Sequence, residues 1–176
     1  MADYVRAPHY QNIGEPQERN TLCWLAGYTM LYRWKGWDEK SIRSDILSKL
    51  DAAGINLDDA RQSGLKLKDN FKAAKALGIN AMGYGQPVTE SDLRQLVRQS
   101  PVWAAGQWMS NNLHVYVIVG ISENWVELYD PWYDSNRTES LEVQKRPLDW
   151  VLNGDGNAMK GLAHTFQWFP LQYWKA

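Results

Sequence analysis

The side chains best suited to chemistry in this chain are one cysteine, one histidine and one aspartate. Cys23 is the only cysteine and follows Gln17 by six positions, whereas His114 opens an apolar stretch and Asp130 closes the next one. A thiol attacks carbonyl carbon as its thiolate, which a neighbouring imidazole favours near neutral pH. His114 would then be the base and Asp130 the carboxylate that orients it. The structural alternatives are a buried inert thiol and a core imidazole with a single hydrogen bond.

Cys23 is predicted to lie in the first turn of a helix, because apolar residues recur at helical spacing from Leu25 onward. Asn20 or Thr21 would cap this helix. Unpaired N–H groups and the positive end of the helix dipole lie in the first turn, and both favour a thiolate. The Cys23 N–H and the Gln17 side-chain amide are therefore candidate donors to the oxyanion of a tetrahedral intermediate. A solvated loop side chain is the alternative for Gln17.

The relation between His114 and Asp130 depends on the turn between their two strands. If Gly120 pairs with Asn124 around a three-residue loop, His114 lies directly opposite Asp130, with Cβ atoms about 4.5–5.5 Å apart. The carboxylate would then accept the Nδ1 proton of the imidazole. A two-residue turn would instead place the two side chains on opposite faces of the sheet.

Hydrophobic periodicity divides the chain into a helical first half, after an extended lead-in of about 20 residues, and a strand-rich second half. The predicted helices cover residues 23–35, 39–50, 66–77 and 91–99, with a polar excursion at 51–64. The predicted strands cover residues 102–109, 113–121, 125–129, 140–145 and 165–169. We therefore predict one α+β domain over residues 1–176. Its helices would pack against a mostly antiparallel sheet, with the active site in the cleft between the two parts.

Composition argues against several classes of partner and cofactor. Nineteen Lys and Arg residues against 20 Asp and Glu give a net charge of −1, so no global field favours nucleic acid or an anionic membrane. The chain shows no signal peptide or membrane span, and one cysteine forms no internal disulfide. Three His residues and one Cys show no metal-ligand spacing, so no metal and no cofactor are expected. We expect a monomer that is cytoplasmic, or secreted as part of a larger effector.

Tryptophan is abundant, with ten copies beside nine tyrosines, which is enough for a ligand-stacking surface as well as a core. Core packing is the expected role for most of them. Trp24, Trp108 and Trp132 are the candidates for walls of a substrate cleft, with core packing as the alternative for Trp108.

The order of these residues resembles that of the papain-like cysteine peptidases. The matching features are Gln17, then Cys23 followed by a tryptophan, then His114 on a valine-rich strand, and Asp130 followed by a proline. The resemblance is closer to compact bacterial members, which include bacteriocin-processing leader peptidases and secreted effector or toxin domains. It implies a nucleophile at Cys23, a base at His114, a third member at Asp130 and an oxyanion donor at Gln17. The Cys-Gly-Ser-Cys context of the plant and lysosomal members is absent, and Asp130 stands where those members have Asn.

The expected function is hydrolysis of peptide bonds in a protein substrate. A papain-fold amidase or acyltransferase that acts on peptidoglycan peptides or side-chain amides is the first alternative, and a non-catalytic Trp-rich binding module is the second. We further expect the domain to be the C-terminal toxin part of a secretion-system effector, restrained in its producer by an immunity protein.

Overall fold

The computed structural model describes residues 4–82, 88–108, 112–132, 141–153 and 171–174, and within them the chain forms an α+β fold. Its α-helices are α1 (Cys23–Trp34), α2 (Ile42–Ala52), α3 (Leu57–Ser63), α4 (Asn70–Leu77), α5 (Glu90–Gln99) and α6 (Leu148–Asn153), and a 3₁₀ turn at Leu67–Asp69 precedes α4. Its strands are β1 (Val5–Arg6), β2 (Asn80–Met82), β3 (Val102–Trp108), β4 (Asn112–Ile121), β5 (Trp125–Tyr129), β6 (Gln144–Pro147) and β7 (Leu171–Tyr173). The predicted fold class is confirmed.

The strands form one antiparallel sheet in the order β2-β7-β3-β4-β5-β6, with β1 paired to the end of β4. Strand β4 is central and apolar on both faces. Val115, Val117 and Val119 join the core formed with α1 to α4, whereas Tyr116 and Ile118 join the core formed with α5 and α6. Such burial on both sides explains the nearly continuous apolar sequence of β4.

Helix α1 is buried along most of its length and lies directly on the sheet. Its residues from Cys23 to Tyr32 are all buried, as expected for a helix that is apolar on every side. A Cβ atom at Gly27 would lie 2.7 Å from the Trp103 ring and 2.8 Å from Val115, so glycine permits the close approach of α1 to β3 and β4. This close packing fixes the position of α1, and therefore of Cys23, relative to the sheet.

The structure corrects some of the predicted elements. The excursion at 51–64 contains α3, which begins where the Asn56 side chain accepts a hydrogen bond from the Asp59 N–H. A short helix of this kind shows little periodicity, and its cap is its main signal. The strand predicted at 140–145 occurs later, at Gln144–Pro147, and β1 and β2 in the first half were not predicted. The strand predicted at 165–169 lies outside the described residues.

The turn between β4 and β5 also differs from the prediction. The Ser122 N–H donates to the Trp125 carbonyl at 2.8 Å, so the turn has two residues at its tip. Gly120 pairs with Glu127, and the predicted pairing with Asn124 is wrong. By itself, a two-residue turn would separate His114 and Asp130 onto opposite faces.

A β-bulge at Val119 compensates for this turn. Ile118 pairs with Leu128 whereas Gly120 pairs with Glu127, so β4 contains one extra residue at this point. One extra residue shifts the register by one and returns the His114 and Asp130 side chains to the same face. The Val119 carbonyl accepts a hydrogen bond of 2.9 Å from the Ala7 N–H, which ties the bulge to the lead-in segment.

Within the described residues, no helix has the length and apolar character needed to cross a bilayer.

Candidate active site

His114 and Asp130 form a buried pair at one end of the central strands. The imidazole Nε2 lies 2.7 Å from Oδ1 of Asp130, and both side chains are almost fully buried. The register places His114 diagonally across from Asp130 and not directly opposite, since Val117 pairs with Tyr129. Nε2 makes the contact with the carboxylate that was predicted for Nδ1.

The same Asp130 oxygen accepts a second hydrogen bond, from the backbone N–H of Trp132 at 2.9 Å. A backbone N–H only donates, so this contact holds the carboxylate in one orientation beside the imidazole. The Trp132 ring meets the His114 ring edge-on at a centroid distance of 5.7 Å, and its side chain is 43% exposed. Trp132 therefore covers the buried pair while presenting its other side to solvent.

Cys23 is the first residue of α1, and its side chain lies close enough to His114 to raise the pKa of the imidazole. The predicted cap is wrong: Leu22 occupies the N-cap position without a side-chain cap, because the Thr21 hydroxyl donates instead to the Arg61 carbonyl. The first turn of α1 also carries no acidic residue. The positive end of the helix dipole is therefore not offset by an acidic side chain in this turn.

His114 and Asp130 each shift the pKa of the other. Burial lowers the pKa of His114, but the hydrogen bonds to Asp130 and Cys23 outweigh it and raise that pKa to about 9. Burial raises the pKa of Asp130, but the hydrogen bond from His114 outweighs it and the resulting pKa lies below the ordinary value. At neutral pH the pair is therefore an imidazolium held by a carboxylate.

Gln17 is buried, with 1% of its surface exposed, and neither polar atom of its side chain has a hydrogen-bond partner among the described residues. Leaving a buried amide unpaired costs about 1–3 kcal/mol, so such a group needs an explanation. Its backbone N–H donates to the Pro131 carbonyl at 2.7 Å, which ties Gln17 to the residue that follows Asp130. A buried amide without a partner, on a segment tied to the residue after Asp130, remains a candidate for the predicted oxyanion donor.

The other aromatic candidates divide clearly. Trp24 is 1% exposed, and its indole N–H donates to the Ala60 carbonyl at 3.2 Å, so its predicted place in a cleft wall is wrong. Trp108 lies at the end of β3, where its backbone pairs with Asn112, and its side chain lies outside the described part of the structure. Tyr116 was not predicted, yet its ring meets His114 edge-on at 4.8 Å. Its signal was its position two residues after His114 on the same strand face.

No group of three or more His, Cys, Asp or Glu side chains that could hold a metal ion occurs among the described residues.

An α+β fold with a cysteine at the start of a buried helix and a buried His–Asp pair on the sheet is the arrangement expected of a thiol-dependent hydrolase. The family model described as papain-like cysteine protease AvrRpt2 matches residues 7–148, a range that includes Gln17, Cys23, His114 and Asp130. The chain therefore belongs to this family of papain-like, effector-type cysteine peptidases, and the resemblance inferred from the sequence is confirmed. No curated protein matches the chain individually.

Proposed function

We propose that this cysteine peptidase hydrolyses peptide bonds of a protein substrate through Cys23, His114 and Asp130, with Gln17 as an oxyanion donor. The observation that carries the proposal is the buried His114–Asp130 pair, 2.7 Å from nitrogen to oxygen, together with a Cys23 side chain close enough to raise the pKa of the imidazole. A nucleophile, a base and an orienting group in mutual contact are what acyl transfer through a thiol requires.

In the acylation step, the Cys23 thiolate attacks the scissile carbonyl carbon, and the carbonyl electron pair moves onto oxygen. The Cys23 N–H and the Gln17 amide would donate to that oxyanion. As the tetrahedral intermediate collapses, the C–N bond breaks and the His114 imidazolium gives its Nδ1 proton to the departing amine.

In the second step, a water attacks the thioester carbon and transfers a proton to neutral His114. The C–S bond then breaks, which releases the product acid and restores the thiolate–imidazolium pair. Asp130 keeps its negative charge throughout and stabilises each imidazolium that forms.

The first test is the rate of Cys23 alkylation by iodoacetamide from about pH 4 to about 9, in the native protein and in His114→Ala. An activated pair predicts fast alkylation well below the ordinary thiol pKa, lost in His114→Ala. A slow alkylation rate that rises only near that pKa and is the same in His114→Ala would refute the proposal. Cys23→Ala then serves as a trap for identifying the substrate, with Trp132→Ala as a cleft variant.

The family match supports peptide bonds as the target over the amidase or acyltransferase alternative. The burial of Trp24 and Trp103 in the core weakens the alternative of a Trp-rich binding module.

We also propose that the domain acts inside a target cell as an interbacterial toxin held in check by an immunity protein. The support is its membership of an effector-type protease family. Growth of bacteria that express the chain in the cytoplasm should stop, and Cys23→Ala should relieve the arrest. Equal growth of both strains at equal protein levels would contradict this role.

A further inference from the structure

Few backbone hydrogen bonds hold the segment that carries Gln17. Residues 13–18 lie between β1 and α1 and belong to no helix or strand. One backbone hydrogen bond anchors Gln17, from its own N–H to the Pro131 carbonyl. A segment without regular structure must be positioned by side-chain contacts, since few backbone groups are paired.

Two arginines supply these contacts. Arg33, in the last turn of α1, donates to the carbonyls of Ile13 and Gly14 at 2.8 and 2.9 Å and to the Glu15 carboxylate at 2.7 Å. A Cβ atom at Gly14 would lie 2.8 Å from the Leu141 carbonyl, so the segment also packs closely against Leu141.

Arg43, in α2, holds the segment on both sides of Gln17. One of its terminal nitrogens contacts Glu15, two residues before Gln17, and the other contacts Glu18, one residue after it. The Glu15 side chain, which is 15% exposed, is thus shared by both arginines. A planar guanidinium that bridges two carboxylates constrains orientation as well as distance, which a lysine ammonium does not.

We propose that Arg33 and Arg43 are positioning residues that hold residues 13–18 so that the Gln17 amide is preorganised for the oxyanion. This inference rests on the proposed function and extends it to residues that touch neither the substrate nor Cys23. A preorganised donor acts only if its geometry is kept, and small displacements of such groups cost large factors in rate.

The test compares peptide hydrolysis with Cys23 alkylation in Arg43→Gln, Arg33→Gln and the control Arg61→Gln, which removes an arginine paired within α3 to exposed Asp58. Alkylation displaces iodide and forms no oxyanion, so it depends on the thiolate pair alone. We expect kcat to fall about 10- to 100-fold in the first two variants, below the ceiling of about 10³-fold for losing one donor. Alkylation should stay within about twofold of the native rate, and Arg61→Gln should leave both rates unchanged.

A double-mutant cycle separates positioning from general damage. In a Gln17→Ala background, Arg43→Gln should change kcat by less than about twofold, because the donor it positions is already gone. The kcat of Arg43→Lys should lie between that of the native protein and that of Arg43→Gln.

Three outcomes would overturn the inference: an unchanged kcat in Arg43→Gln, an equal loss of alkylation and kcat, or full additivity with Gln17→Ala. Gln17→Ala without effect would overturn the oxyanion assignment and this inference but not the Cys23–His114 chemistry. Activity retained in Cys23→Ala would instead refute the proposed function itself.

Discussion

Replacing Asp130 with asparagine separates the charge of this residue from its geometry. Oδ1 of Asp130 accepts hydrogen bonds from both His114 Nε2 and the Trp132 N–H. Since the Trp132 N–H only donates, an asparagine would turn its carbonyl oxygen to the same place and its NH₂ group away. His114 would keep the same tautomer and ring orientation, but without a negative charge behind it.

The size of the effect follows from the hydrogen bond. A bond to a charged acceptor contributes about 1–1.5 kcal/mol more than a bond to a neutral one. Because one pKa unit corresponds to about 1.4 kcal/mol, Asp130→Asn should lower the pKa of His114 by about one unit. From about 9 in the native protein, the alkaline limit of activity should therefore move to about pH 8.

Asp130→Ala removes the geometry as well. Burial lowers the pKa of His114 and is the largest single influence on it. Without Asp130, no carboxylate offsets this effect, and the pKa of His114 should fall much further. We expect kcat/KM near neutral pH to fall less than about tenfold in Asp130→Asn and about 10²- to 10³-fold in Asp130→Ala.

The assay is kcat/KM against pH for the three proteins, with the His114 pKa followed by NMR of its ring nitrogens and native folding checked by Trp fluorescence. Equal losses in the two variants would show that charge alone matters and would refute the geometric reasoning. An alkaline limit that does not move in Asp130→Asn would refute the electrostatic part.

Two further predictions concern stability and register. The pKa of His114 is raised from 6.5 to about 9, so the stability that its charged form contributes is complete below pH 6.5 and is lost as pH rises through about 9. The loss should reach roughly 3 kcal/mol, measured by urea unfolding, and an equal pH dependence in His114→Gln would contradict it. Deleting Val119 removes the bulge and should turn His114 away from Asp130, so rapid alkylation of Cys23 at low pH should disappear. Val119→Ala keeps the register and should lose about 1–3 kcal/mol of stability with normal alkylation; fast alkylation in a folded deletion variant would show that the bulge does not set the pair.

Local features of the site were predictable because they depend on nearby residues. Helical spacing after Cys23 and the apolar run after His114 are local patterns, and both elements occur where they were predicted. The α+β class followed from the same periodicities. The cap was predicted wrongly because Thr21 has a partner 40 positions away, at Arg61, which no local pattern reveals.

The sequence by itself determined which residues are candidates for the chemistry, in which order they occur, and on which kinds of element they lie. Tertiary structure alone decided that His114 and Asp130 meet, since a two-residue turn and a one-residue bulge shift the register in compensating ways. It also decided that Gln17 is buried without a partner while Trp24 packs into the core. The physical reason is that register and burial depend on contacts between distant segments, such as the hydrogen bond from Ala7 to Val119, whereas periodicity reports only the local backbone.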